Sequence, residues 1–265
     1  MLTVLLAFRP HDPARGVAPG WTFANWAKLG ESRLLPILER TVAVSLMATV
    51  ICLILAVPVG LGMARAPARW RPWLLLGVVI PFWTNFVLRV FAWRMLLHPE
   101  GALTKALIHP LRFLHLLGPQ EGLSLLNNTP AVVLVSVYTY LPFAILPVYA
   151  AAEKFDFGLL DAARDLGATG WQAFGRIFLP GIRAALVSAF LITFVPLLGS
   201  YVIPDLVGGP DGLLLGQRIQ QRALGSDRNL PQAALLSTLL MIAVIIPLLI
   251  SFRQRKANAP EVASE

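Results

Sequence analysis

The residues best placed to do specific work lie between two apolar stretches, where positions 156–180 read DFGLLDAARDLGATGWQAFGRIFLP. This pattern predicts a short helix, a glycine break, a second short helix and a proline stop. Leu159, Ala162, Ala163 and Leu166 fall on one face at helical spacing. Gly167 can take the left-handed conformation that closes a helix. Asp161, Arg164 and Asp165 form the polar side. Ala162, Ala163 and Gly167 are small, so another surface could approach the backbone closely. That chemistry is docking; the plainer alternative is an amphipathic surface connector.

Catalytic chemistry finds no support elsewhere in the chain. It contains no H-E-x-x-H, no G-x-S-x-G and no G-x-x-x-x-G-K-[ST] phosphate loop, so any ATP hydrolysis belongs to a separate subunit. The single cysteine, Cys52, sits in an apolar run and excludes an intrachain disulfide. His98, His109 and His115 have no metal-site spacing, and no metal is expected. Arg89 and Arg94 lie inside an apolar stretch, where a cation faces protein or water. Arg89 is about a turn and a half from the outer end, within reach of snorkelling, and reads as a structural charge.

These residues must be positioned by membrane-spanning elements. The chain has 265 residues, 57% hydrophobic and 14% charged, with mean hydropathy +0.69; soluble domains carry roughly 25% charge. Its apolar runs reach about 20 residues, enough to cross about 30 Å of hydrocarbon as helix. The fold class is therefore all-α and polytopic, and a barrel, which alternates apolar and polar residues, is excluded. The net charge of +8 clusters at the ends of apolar runs, as membrane orientation requires, and no nucleic-acid stripe is present.

Spans are expected at Thr41 to Ala64, Pro72 to Leu97, Pro130 to Ala152, Ile182 to Ile203 and Pro231 to Phe252. Prolines within them mark kinks that neighbouring helices accommodate. Arg65, Arg69 and Arg71 crowd the first tight connection and place it in the cytoplasm. By alternation the 153–181 loop and the tail beginning Arg253-Gln254-Arg255-Lys256 are cytoplasmic too. The segments 98–129 and 204–230 become external. Residues 1–40 read as a truncated first span plus an external segment, 41–252 as the transmembrane domain and 253–265 as a cytoplasmic tail. Five spans are complete, and six are expected in the intact protein.

Asp161-Ala162-Ala163, then Gly167, Ile177 and Leu179-Pro180 resemble the EAA loop of ABC importer permeases, E-A-A-x3-G-x9-I-x-L-P. Spacing agrees throughout, and Asp161 for Glu is the one departure. Three further stretches, 80–93 (IPFWTNFVLRVFAW), 141–149 (LPFAILPVY) and 198–209 (LGSYVIPDLVGG), resemble the spans of spermidine/putrescine-type permeases, most closely the B-type. The resemblance covers most of residues 41–220. It implies a type I importer permease with a coupling helix that sits in a groove of an ATP-binding subunit, whose two copies hold ATP and Mg while this chain binds no cofactor. It also implies a second homologous permease, a periplasmic substrate-binding protein and a bacterial inner-membrane location.

A polyamine path should offer carboxylates and aromatic faces to ammonium groups. Tyr201 and Asp205 fit, on one helical face if the helix runs through Pro204. Trp83, Asn85 and Tyr138 are further pathway candidates, with interfacial anchoring as the alternative for the aromatics. Other cargoes remain open, such as an opine or another amino-acid-like amine. From a different class, a gradient-driven secondary transporter would show mid-span acids and internal repeats, and neither is present.

Overall fold

The computed structural model describes residues 2–12, 16–27, 34–106, 125–209, 213–225 and 228–257, the side chains of Leu2 and of 250–257 excepted. His109 and His115 lie outside the described residues, as do the side chains of the basic tail. Every regular element among the described residues is helical: α1 (Leu2–Ala7), α2 (Ala24–Ala27), α3 (Leu34–Arg65), α4 (Arg71–Val79), α5 (Phe86–Leu97), α6 (Thr129–Glu153), α7 (Gly158–Asp165), α8 (Gly170–Ala173), α9 (Leu179–Gly181), α10 (Arg183–Leu198), α11 (Val202–Val207), α12 (Leu215–Leu224) and α13 (Leu230–Ala257). A 3₁₀ turn at Ile80–Trp83 follows α4, and a π-helical turn at Phe174–Phe178 follows α8. The chain divides into a terminal unit (Met1–Ala43, Val195–Asp205, Leu213–Glu265) and a central unit (Val44–Phe194, Leu206–Gly212).

Leu34–Arg65, Thr129–Glu153 and Leu230–Leu249 are long and apolar enough to cross a membrane. Each contains the span expected at its position, or nearly all of it. The second and fourth expected spans are not single helices. Arg71–Trp83 and Phe86–Ala106 meet at 89°. Pro81 removes one ladder donor, Thr84 is extended, and Asn85 starts α5 afresh by accepting from the Val87 and Leu88 amides at 2.8 and 3.4 Å. The fourth run stops at Leu198, giving α10 only 16 residues, about 24 Å at 1.5 Å per residue. Gly199 to Tyr201 are non-helical, and α11 is a separate turn. Counting each bent pair as one span gives up to five.

Packing in the central unit follows from small residues. Ala48, Cys52, Ala56, Gly60 and Ala64 recur every fourth position of α3, and all are buried. Such a stripe lets helix backbones approach in lipid, where apolar burial alone drives no association. The Cys52 thiol meets the Val137 carbonyl of α6 at 3.7 Å. A Cβ on Gly60 would lie 2.8 Å from Val148 Cγ1 and 3.1 Å from the Tyr149 nitrogen. Residues 52 and 60 thus match 137 and 148, so α3 and α6 run parallel, as spans separated by one crossing should. Hydroxyls inside these helices bond back to their own chain: Thr49 to Ser45 O and Thr139 to Val135 O, both at 2.7 Å. That satisfies polar groups where no water is available.

In the terminal unit, α1 lies along α13. Ala7, Ala234 and Leu235 form a buried cluster with Leu6, Phe8 and Trp26 against it. Asn25 donates to the carbonyls of Ala7 and Arg9 at 3.2 and 2.8 Å, closing the end of α1. The external segment expected within residues 1–40 contains α2 and the first turns of α3.

Candidate coupling loop and transport path

Arg71 at the start of α4 pairs with Glu153 at the end of α6, N–O 3.2 Å, and Tyr149 donates to the same carboxylate at 2.9 Å. Arg65 stacks over Phe157 at 5.0 Å. The arginine-rich connection and the 153–181 segment therefore sit at one end of the central unit, as the charge distribution requires. Arg65, Arg71, Arg164, Glu153 and Asp161 surround a cleft of about 530 Å³ there.

From that end α7 projects, and its closure is local. Gly167 has φ +88°, its amide donates to Arg164 O at 2.8 Å, and the Ala168 amide donates to Ala163 O at 3.0 Å. These are the paired bonds of a helix closed by a left-handed residue. Thr169 then opens α8 by a capping box: its hydroxyl accepts from Gln172 N, and the Gln172 side chain accepts from Thr169 N. An aromatic series fixes the second leg. Trp171 meets Phe174, Phe174 stacks on Phe178, and Phe178 meets Phe155, with centroids 6.0, 5.6 and 5.2 Å apart.

Two expectations need correction. The proline stop is not at Pro180: helical turns continue through the π-turn to Gly181, and the 69° bend falls before Arg183. Pro180 occupies the first turn of α9, where a missing N–H costs little. The face shared by Leu159, Ala162, Ala163 and Leu166 also splits. Leu160 and Ala163 are the buried pair, 4% and 9% exposed. Leu159, Ala162 and Leu166 point outward, with Leu166 90% and Trp171 84% exposed. A Cβ at Gly167 would meet nothing within 4 Å. Asp161 is also outward, pairing with Arg164 at 3.6 Å. Ile177 and Leu179 are half-buried in the second leg, and Pro180 is exposed. The result is an apolar, small-residue strip turned away from the rest of its unit. The capping box was readable as T-x-x-Q; the exposure of Trp171 had no sequence signal.

The pathway candidates fall in both units. Trp83 is exposed, and Asn85 is occupied as the α5 cap. Tyr138 takes Trp93 as its ring partner, 5.2 Å between centroids. Arg89 lies over the Phe82 ring at 5.2 Å, and its buried Nε has no hydrogen-bond partner among the described residues. In the terminal unit Tyr201 and Asp205 are both exposed, linked by an Asp205 N to Tyr201 O bond of 3.0 Å. Asp205 lies in the separate α11 turn and Tyr201 immediately before it, not on a continuation of α10. Gln217, not singled out by sequence, donates to the Asp205 carboxylate at 2.9 Å.

Paired apolar helices, broken spans and an exposed helical connector are the features of a membrane transport subunit. Residues 56–257 match the family of binding-protein-dependent transport system inner membrane components, and the chain belongs to that family: it is the non-catalytic, multi-pass inner-membrane permease of an ABC importer. Among its relatives, the spermidine/putrescine transport system permease protein PotB of Haemophilus influenzae is 33% identical over 262 residues, 97% of this chain and 87% of that protein. PotB of Escherichia coli K12 is 32% identical over 266 residues, 100% of this chain and 94% of that one. A crystallised bacterial ABC transporter involved in import of the acidic polysaccharide alginate shares the fold, with TM-score 0.72 and 17% identity over 98% of this chain and 89% of that one.

Proposed function

We propose that this permease carries polyamines of the spermidine/putrescine class inward, powered by ATP hydrolysis on a partner. The near-full-length likeness to two PotB permeases carries the cargo reading. The outward strip of Asp161, Ala162, Leu166, Gly167 and Trp171 supports the coupling reading. Two copies of an ATP-binding subunit hold ATP and Mg, and one receives α7 in a groove; this chain binds neither. Ala163 anchors the docking helix, while Ile177, Leu179 and Pro180 fix the leg that passes its movement to α10. Closure of the ATPase pair on ATP then moves the spans as levers. The loop and the tail face the cytoplasm, and a periplasmic binding protein delivers cargo from the other side.

A second, homologous permease completes the path. Arg89, whose buried Nε has no hydrogen-bond partner among the described residues, is a structural charge met by a carboxylate of that partner. Trp83 and Tyr138 are pathway residues of the central unit, where Asn85 fixes the α4–α5 bend, and Tyr201 and Asp205 are pathway residues of the terminal unit. Reconstitution tests the whole reading: the chain co-purifies with an ATPase and a second permease, and the assembly takes up labelled spermidine or putrescine only with ATP and binding protein. Uptake of an opine or amino acid in preference to both amines would overturn the cargo reading. Uptake by the lone chain under a proton gradient would overturn the ATP-driven one.

A further inference from the structure

The exposed Asp205 is held from behind by a buried amide, and the packing that brings them together is specific. Thr41, 1% exposed, donates to Ile37 O at 2.7 Å and accepts from the Leu215 amide at 2.8 Å, tying down the start of α12. The next residue is Gly216. A Cβ there would stand 2.6 Å from Ser200 O and 2.8 Å from Gly199 O, so α12 presses its backbone onto the carbonyls freed where α10 ends. Only glycine permits that approach. Gln217 follows, 7% exposed, with Nε2 2.9 Å from Asp205 Oδ1.

The chemistry fixes which way the amide points. An ionised carboxylate only accepts, so Gln217 must turn its NH2 group toward Asp205. Its Oε1 is then left buried with no hydrogen-bond partner among the described residues. Leaving a buried carbonyl unsatisfied is unfavourable, and native structures rarely do so without a reason. An ammonium group supplies what is missing: donors for Oε1, positive charge for the carboxylate, and a cation for the face of Tyr201, which is 47% exposed one turn earlier. Arg218 and Arg222 leave α12 about 100° and about 140° round from Gln217.

We propose that Asp205 and Gln217 form an ammonium-binding subsite of the transport path, with Gln217 as the positioning residue for the Asp205 carboxylate. This rests on the amine reading of the cargo. It assigns Gln217 a role in recognition and gives the Gly216 contact its purpose, because the amide reaches Asp205 only when α12 is pressed onto the α10 break.

The test uses the assembled importer in proteoliposomes with saturating binding protein, and reads the initial rate of labelled spermidine uptake per assembled complex. Gln217→Met keeps the side-chain length and removes the amide; it lowers uptake about tenfold, the scale of a hydrogen bond to a charged group. On an Asp205→Asn background the same change lowers uptake no further, because its effect passes through the carboxylate. Gln217→His, which keeps an N–H donor, recovers part of the loss. Wild-type rates in Gln217→Met, or an equal fold-loss on both backgrounds with no recovery by His, would overturn the proposal. Wild-type rates in Asp205→Asn would overturn the subsite and leave the amine reading standing. A wild-type importer that moves neither spermidine nor putrescine would remove the amine reading and the subsite with it.

Discussion

Two breaks in the helical path, one at residues 166–169 and one at 199–201, are built in opposite ways. The first is closed by its own neighbours: Gly167 in the left-handed region, two backbone bonds back into α7, and a Thr169–Gln172 capping box opening α8. All of that lies within about ten residues. The second is stabilised from a distance, by Gly216 against the freed carbonyls and Thr41 holding the start of α12. A locally closed break can stand free of its own unit and present a surface to another protein. A break held by tertiary packing depends on distant residues and can instead shape a site within its own unit.

That contrast can be broken at either end. The largest effect is expected at Gly167. With φ +88°, a β-branched residue is strained by its backbone alone. Gly167→Val also adds bulk to the exposed strip. Stimulation of ATPase activity by loaded binding protein is expected to fall more than tenfold, with the assembled permease pair retained in the membrane. Stimulation at the wild-type level would show that the docking surface does not depend on the α7 closure.

At the second break, Gly216→Val must push α12 off the Ser200 and Gly199 carbonyls. Spermidine uptake is expected to fall several-fold while the ATPase still co-purifies, since the coupling loop is untouched. Loss of the ATPase instead would mean that the two breaks are not independent. The smallest effect belongs to Asn85→Ala, which removes the α5 cap at a cost of about 1 kcal/mol. A lowering of the thermal unfolding midpoint by a few degrees checks it.

The same division explains what could be read from the chain. Three spans were legible because an apolar run bounded by charge or proline needs no tertiary information. The Thr41 to Ala64 expectation lies inside the observed Leu34–Arg65, and Pro130 to Ala152 falls one residue short at each end of Thr129–Glu153. The second and fourth read as continuous, kinked spans because hydropathy is blind to full backbone breaks. Pro81 and Gly199 were visible, but other prolines, such as Pro142 and Pro147, sit within an unbroken α6. The left-handed Gly167 was legible; which face of α7 turns outward was not, since Leu159 and Leu160, then Ala162 and Ala163, are adjacent apolar pairs that fit either of two faces. Gln217 was hidden for the opposite reason: its helix is polar, lies between apolar runs, and gains meaning only from Asp205, twelve positions earlier.

The central claim is that the Asp161–Trp171 strip is where this permease meets its ATPase, and site-directed cross-linking addresses it directly. The native cysteine, Cys52, is buried, so Leu166→Cys in a Cys52→Ala background places one reactive thiol on the strip. In the assembled importer it is expected to cross-link to the ATP-binding subunit and to be shielded from a water-soluble maleimide. A thiol that labels as fast in the assembly as in the isolated permease, with no cross-linked product, would contradict the account.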